Sequence, residues 1–88
     1  MKELRDLTRI ERMILLAFCD ANNWSLSSHV PLEAVKRRIK NINPKVINKV
    51  IKLLNSNGFI IKHPTRHRIT YHLSKKGLQA GNQINSEL

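Results

Sequence analysis

The sequence predicts an α+β fold, mainly α: a three-helix core, a β-hairpin and a C-terminal helix. Three features predict it. Apolar residues recur at helical spacing in three blocks before Gly58, the period falls to two after Gly58, and Ser74 opens a last helical stretch. A chain of 88 residues with 41% apolar content and few aromatics has room for one small aliphatic core. The expectation is therefore a single domain over residues 1–88, with its core at about 8–80 and short flexible ends.

The elements follow from local signals. Thr8 followed by Glu11 forms a capping box, and Ile10, Ile14, Ala17, Phe18 and Ala21 then repeat as one helical face, which predicts a first helix from about Arg9 to Ala21. Met13, Leu15 and Leu16 widen that stripe, as expected of a central helix or of one also covered by a second subunit. Asn22 and Asn23 end it. Trp24 to Val30 reads as a loop closing on a brief strand at Val30. Pro31 opens a second helix, about Leu32 to Lys40, with Leu32, Val35 and Ile39 inward. Asn43 and Pro44 supply the cap and first position of a third helix, over 43–57, which Asn57-Gly58 stops. Phe59, Ile61, Ile69, Tyr71 and Leu73 are expected on one face of a hairpin, with Arg68, Thr70 and His72 on the other and His63 to His67 as its tip. Ser74 caps the last helix, which Gly77 and Gly81 weaken.

Composition excludes several classes of function. No apolar stretch reaches the length of a membrane span, and the N-terminus has no signal peptide, so no membrane role is expected. The lone Cys19 sits among Leu16, Ala17 and Phe18 and reads as a buried, inert thiol of a cytoplasmic protein rather than a reactive one. No glycine-rich phosphate loop, paired carboxylates or activated nucleophile is present, so neither an enzyme nor a cofactor is expected. His63, His67 and His72 share the hairpin, but their separations place them on different faces or across the turn, and no metal site is expected.

Charge distribution carries more information than its total of +10. Residues 1–33 hold four basic and five acidic side chains, whereas residues 34–88 hold twelve basic ones and a single acid, Glu87. A surplus of one sign favours solubility but opposes compaction, and a polyanionic partner gives it a use through counterion release. In the third helix Lys45, Asn48, Lys49 and Lys52 are spaced by three, one and three, on the stripe opposite Ile47, Ile51 and Leu54. Ordinary exposed helices mix Glu with Lys, and this one has no acid.

The order helix, short strand, helix, tight turn, helix, hairpin, helix is similar to that of a winged helix domain, a variant of the helix-turn-helix. Val46 to Leu54 followed by Asn57-Gly58-Phe59-Ile60 resembles the recognition helix of winged helix regulators and its ending. Tyr71-His72-Leu73-Ser74-Lys75-Lys76-Gly77-Leu78 resembles the strand returning from the wing and the turn beyond it. The likeness covers about residues 8–80 and points to a small regulator of prokaryotic or archaeal type. It implies sequence-specific binding of double-stranded DNA in transcriptional regulation, with helix 43–57 in the major groove and wing 62–68 on the backbone or in the minor groove. Asn48 and Lys49 are the expected base readers, because Asn pairs with an adenine edge and Lys reaches guanine. Lys45 and Lys52 are expected on phosphates. Lys62, Arg66 and Arg68 of the wing, with Lys36, Arg37 and Lys40 of the second helix, complete the expected contacts. A homodimer suits a two-fold site, through the first helix or through the last with Leu78, Ile84 and Leu88. The alternative is a module that binds RNA or docks a protein inside a nucleoprotein complex. Single-strand recognition has little support, since Trp24 and Tyr71 are the main stacking candidates.

Overall fold

The computed structural model describes residues 1–88. A single 3-10 turn, Leu4–Asp6, precedes α1 (Arg9–Ala21), β1 (Val30–Pro31), α2 (Leu32–Lys36), α3 (Pro44–Ser56), β2 (Ile60–Pro64), β3 (Ile69–Leu73) and α4 (Lys75–Ser86). The strands form one antiparallel sheet in the order β1-β3-β2. This is a winged helix fold, mainly α.

Both bonds of the α1 capping box form: the Glu11 amide donates to Thr8 Oγ1 at 3.2 Å and the Thr8 amide to Glu11 Oε1 at 2.9 Å. Ile14, Leu15, Phe18 and Cys19 are fully buried along the helix. Phe18 meets the Tyr71 ring edge-on at 5.6 Å, a favoured aromatic geometry. At the C-terminus Asn22 Nδ2 returns to the Phe18 carbonyl at 2.9 Å, and Asn23 and Trp24 take left-handed backbone angles. The Cys19 thiol is buried as expected, and burial pushes its pKa up to about 12.

The second helix is shorter than the sequence predicts, because it ends at Lys36 rather than Lys40. After the Arg37 amide bonds to the Glu33 carbonyl, Arg38 and Ile39 bond only three residues back, to Val35 and Lys36. That tightening, with a left-handed Asn41, lets both Ile39 and Ile42 pack against the core before α3 begins. Asn43 then caps α3, its Oδ1 accepting from the Lys45 amide at 2.8 Å, with Pro44 in the first turn. Gly58 stops the helix at φ +78°, where a side chain would be strained.

β2 alternates out of phase with the expectation, whereas Tyr71 and Leu73 of β3 face the core as expected. Ile60 pairs with Leu73 and Lys62 with Tyr71, and Ile60, Tyr71 and Leu73 face the core. Ile61 and Ile69, expected inside, are 43% and 42% exposed. Phe59 is buried but belongs to the turn: its amide bonds to the Leu54 carbonyl, so the period of two restarts one residue later. Ile69 lies opposite Pro64 at the exposed end of the wing. The connection is also shorter than expected, since His63 and Pro64 are strand residues and Thr65 to Arg68 make the turn. There the Thr65 amide donates to the Arg68 carbonyl at 2.8 Å, and the Arg68 amide donates to Thr65 Oγ1 at 3.1 Å.

The core is one cluster of eighteen buried residues, reaching from Leu7 to Ile84 and so slightly past the expected span. The N-terminal segment meets the C-terminus of α3 and the start of α4. The Lys2 amide donates to Asn57 Oδ1 at 2.8 Å, and Lys76 Nζ donates to both the Lys2 and Asn57 carbonyls.

The glycines that weaken α4 by propensity are its closest contacts. A Cβ at Gly77 would overlap the Phe59 carbonyl, and one at Gly81 would overlap Cys19 Sγ. On an exposed helix Gly→Ala gains about 1 kcal/mol, whereas overlap with fixed backbone costs roughly 1–3 kcal/mol. Gly77→Ala is accordingly expected to lower the denaturant midpoint of unfolding, and an unchanged or raised midpoint would mean that α4 can shift away from Phe59.

Candidate nucleic-acid interface

Lys45, Asn48, Lys49 and Lys52 are all exposed on α3, while Ile47, Val50, Ile51 and Leu54 are buried on its other side. Capping by Asn43 and the stop at Gly58 set the length of this helix, and the buried stripe sets its rotation. Its polar stripe therefore points outward without any acid among its thirteen residues.

The wing packs along this stripe. Asn48, Ile51, Lys52 and Asn55 of α3 line a recess of about 250 Å³ with Leu32, Lys62 and Tyr71. Asn55 Oδ1 accepts the Lys62 backbone amide at 3.2 Å, which ties the first wing strand to the last turn of α3. Asn55 was not among the residues expected here. It lies seven positions beyond Asn48 on the same helical face, so the spacing contained the signal.

Lys62 emerges from β2, Arg66 stands in the turn and Arg68 adjoins β3, all exposed. Lys36 ends α2, and the shortening of that helix leaves Arg37 and Lys40 on the exposed connector to α3. No contact unites these three with the α3 recess, whose lining comes from Leu32 at the other end of α2.

Ion pairing separates the cations into two groups. Lys2 pairs with Glu11, Arg12 with Glu87, Arg38 with Asp20 and Lys76 with Glu3, at 3.2–3.9 Å. Lys76 also sits 4.5 Å above the Phe59 ring. None of the nine basic residues of the candidate interface has an acidic partner. Four of the six acids thus neutralise cations outside the candidate interface, and the α3, wing and α2 charges are left free.

Neither stacking candidate stands free on the surface. Tyr71 is 7% exposed, and Trp24 packs partly buried against the core. The histidines also depart from expectation. His63 and His72 lie across the turn, as one of the two expected arrangements has it, but on one face of the sheet with ring centroids 6.4 Å apart, and His29 joins them from the approach to β1 at 5.1 and 4.5 Å. Partial burial, then the neighbouring His29 and His63, hold the His72 pKa below its ordinary value. His29 was missed because its neighbour His72 is 43 residues away in the chain.

Removing the Asn55 side chain should free the wing strand from α3. Asn55→Ala is expected to accelerate hydrogen exchange at the Lys62 amide while costing at most about 1 kcal/mol of global stability, because the bond is exposed. Unchanged Lys62 exchange would show that the strand ladder alone holds the wing.

No protein-family model matches the sequence, and no curated protein matches it. Among solved structures, the chain is similar to one described as the type III plasmid segregation protein TubR, with a TM-score of 0.67 at 17% identity over 86% of this chain and 72% of that one. At that identity the likeness is one of fold, and the fold is the winged helix.

Proposed function

We propose that this chain binds double-stranded DNA sequence-specifically, with α3 in the major groove and the wing on the adjacent backbone or minor groove. The observation that carries this reading is the set of nine cations on α3, the wing and the α2 end, none of which has an acidic partner, while four of the six acids pair with cations elsewhere. An exposed helix with Asn48 and Lys49 at its centre matches the width of a major groove. The burial of Tyr71 and Trp24 argues against a single-strand platform. The functional role is transcriptional regulation in the cytoplasm, where a lone reduced thiol is stable. Plasmid segregation, the context of the similar structure, would use the same duplex-binding surface.

The active form is proposed to be a homodimer. The two surfaces offered by the first and last helices merge into one groove, lined by Leu7, Met13, Leu16, Ile84 and Leu88 between rims of Arg9, Arg12 and Glu87. Met13 is 49% and Leu88 89% exposed there. The groove is lined by none of the nine cations of α3, the wing and the α2 end, so two copies approach without bringing those basic surfaces together. Sedimentation should give a dimer for the natural chain and a monomer for Met13→Asp, and a natural monomer at micromolar concentration would remove the dimer from the proposal.

Titration of duplex DNA, duplex RNA and single strands at several salt concentrations tests the binding itself. With phosphate contacts from Lys45, Lys52, Lys62, Arg66 and Arg68, log K should fall with log salt at a slope of about −4 to −5. Lys49→Glu should weaken duplex DNA binding about tenfold or more with the fold intact, since the residue is exposed. A flat salt response, or tighter binding to RNA, would replace this reading with the RNA or protein-docking alternative.

A further inference from the structure

We propose that His29, His63 and His72 form a binding site for a zinc-class divalent ion on the face of the wing sheet turned away from α3. Strand register assembles the site. Ile60, Lys62 and Pro64 of β2 share one face with Leu73, Tyr71 and Ile69 of β3, so His63 and His72 share the other. Val30 pairs with Tyr71, which sets His29, one residue earlier, opposite His72. With β3 central in the sheet, a histidine from each outer strand leans over the one in the middle.

The spacing suits a metal. Two nitrogen ligands with bonds of about 2.0–2.1 Å to a tetrahedral ion stand roughly 3.3 Å apart. His29 Nδ1 and His72 Nδ1 are 3.3 Å apart. Imidazole rings sharing such an ion have centroids on the order of 5 Å apart, and these three lie at 4.5, 5.1 and 6.4 Å. As the side chains stand, no three of the His, Cys, Asp and Glu residues are placed to hold one ion, so the site requires a side-chain rotation. The outlying ring is His63, which is exposed and can rotate inward about its side-chain bonds within nanoseconds. Its backbone stays fixed meanwhile, because its carbonyl accepts from Thr70 Oγ1 at 3.2 Å. Three imidazoles with an open fourth position suit Zn²⁺, Cu²⁺ or Ni²⁺ and reject Mg²⁺ and Ca²⁺, which require oxygen ligands. A bound ion would clamp the β1 approach to both strands of the wing.

Titration of the full chain with ZnCl₂ at pH of about 7.5, where imidazoles are neutral, tests the site by calorimetry. One ion per chain is expected, with a rise in Tm. His29→Ala, His63→Ala and His72→Ala should each weaken binding at least about tenfold, whereas His67→Ala, at the turn, should not change it. Co²⁺ in place of Zn²⁺ should show the intense visible absorption of a four-coordinate ion. Because a chain of net charge +10 repels a cation, added salt should not weaken the binding of the metal, unlike a nucleic-acid complex. Should His72→Ala fail to fold, the exposed His29 and His63 variants decide. No binding, equal loss in His67→Ala, or several weak equivalent ions would show that the 3.3 Å approach is only an imidazole hydrogen bond. Lys49→Glu should leave Zn²⁺ affinity unchanged, so this site and the DNA reading can fail separately.

Discussion

Phe59 is the joint on which the geometry of this protein turns. Its amide closes the end of α3 by donating to the Leu54 carbonyl, and its own carbonyl accepts from the Ser74 amide at 3.2 Å and hydroxyl at 3.0 Å. Its ring is wholly buried, with Lys76 above it, and Gly77 lies against its carbonyl with no space for a side chain. One residue thus fixes where α3 ends, where the wing begins and how closely α4 approaches. The angle between α3 and the wing, and so the recess between them, follows from it. Asn55 reinforces that angle through the Lys62 amide. Without this joint the lysines of α3 and the arginines of the wing would belong to two independently moving parts.

Electrostatics works against compactness here, and the placement of the few acids limits the damage. Six acids face sixteen lysines and arginines. Four of the six neutralise Lys2, Arg12, Arg38 and Lys76, the cations lying against the core elements or the N-terminal segment. Each such pair is worth little alone, but together they leave most of the unpaired positive charge on the outer surface of α3, the wing and the α2 end, where salt screens it. The same free charges that oppose folding provide the drive for binding a polyanion. A surface of this kind is costly in isolation and useful only with its partner present.

The period of two in the sheet separates two chemistries. On the face toward α3 the wing presents Lys62 and Tyr71 to the recess, and on the opposite face it presents His63 and His72. Neighbouring residues in one strand therefore serve different surfaces. β1, only two residues long, adds His29 to the outer face and closes the sheet edge beside β3.

The sequence by itself determined the capped starts of α1, α3 and α4, the stop at Gly58 and the hairpin, because each depends on residues within about four positions of one another. It also determined which side of α3 is polar, since helical periodicity assigns faces without knowledge of the partner. Tertiary structure alone decided the rest. The core shortens α2 by drawing Ile39 and Ile42 inward through a left-handed Asn41. The bond from Phe59 to Leu54 shifts the phase of β2 by one residue and turns Ile61 outward in place of Ile60. Gly77 and Gly81, poor helix formers by propensity, are required by the close approach of Phe59 and Cys19, which lie 18 and 62 positions away in sequence. His29 meets His72 only because β1 pairs with β3. Local rules read the energies of neighbouring residues, whereas these four outcomes depend on contacts between parts of the chain that only folding brings together.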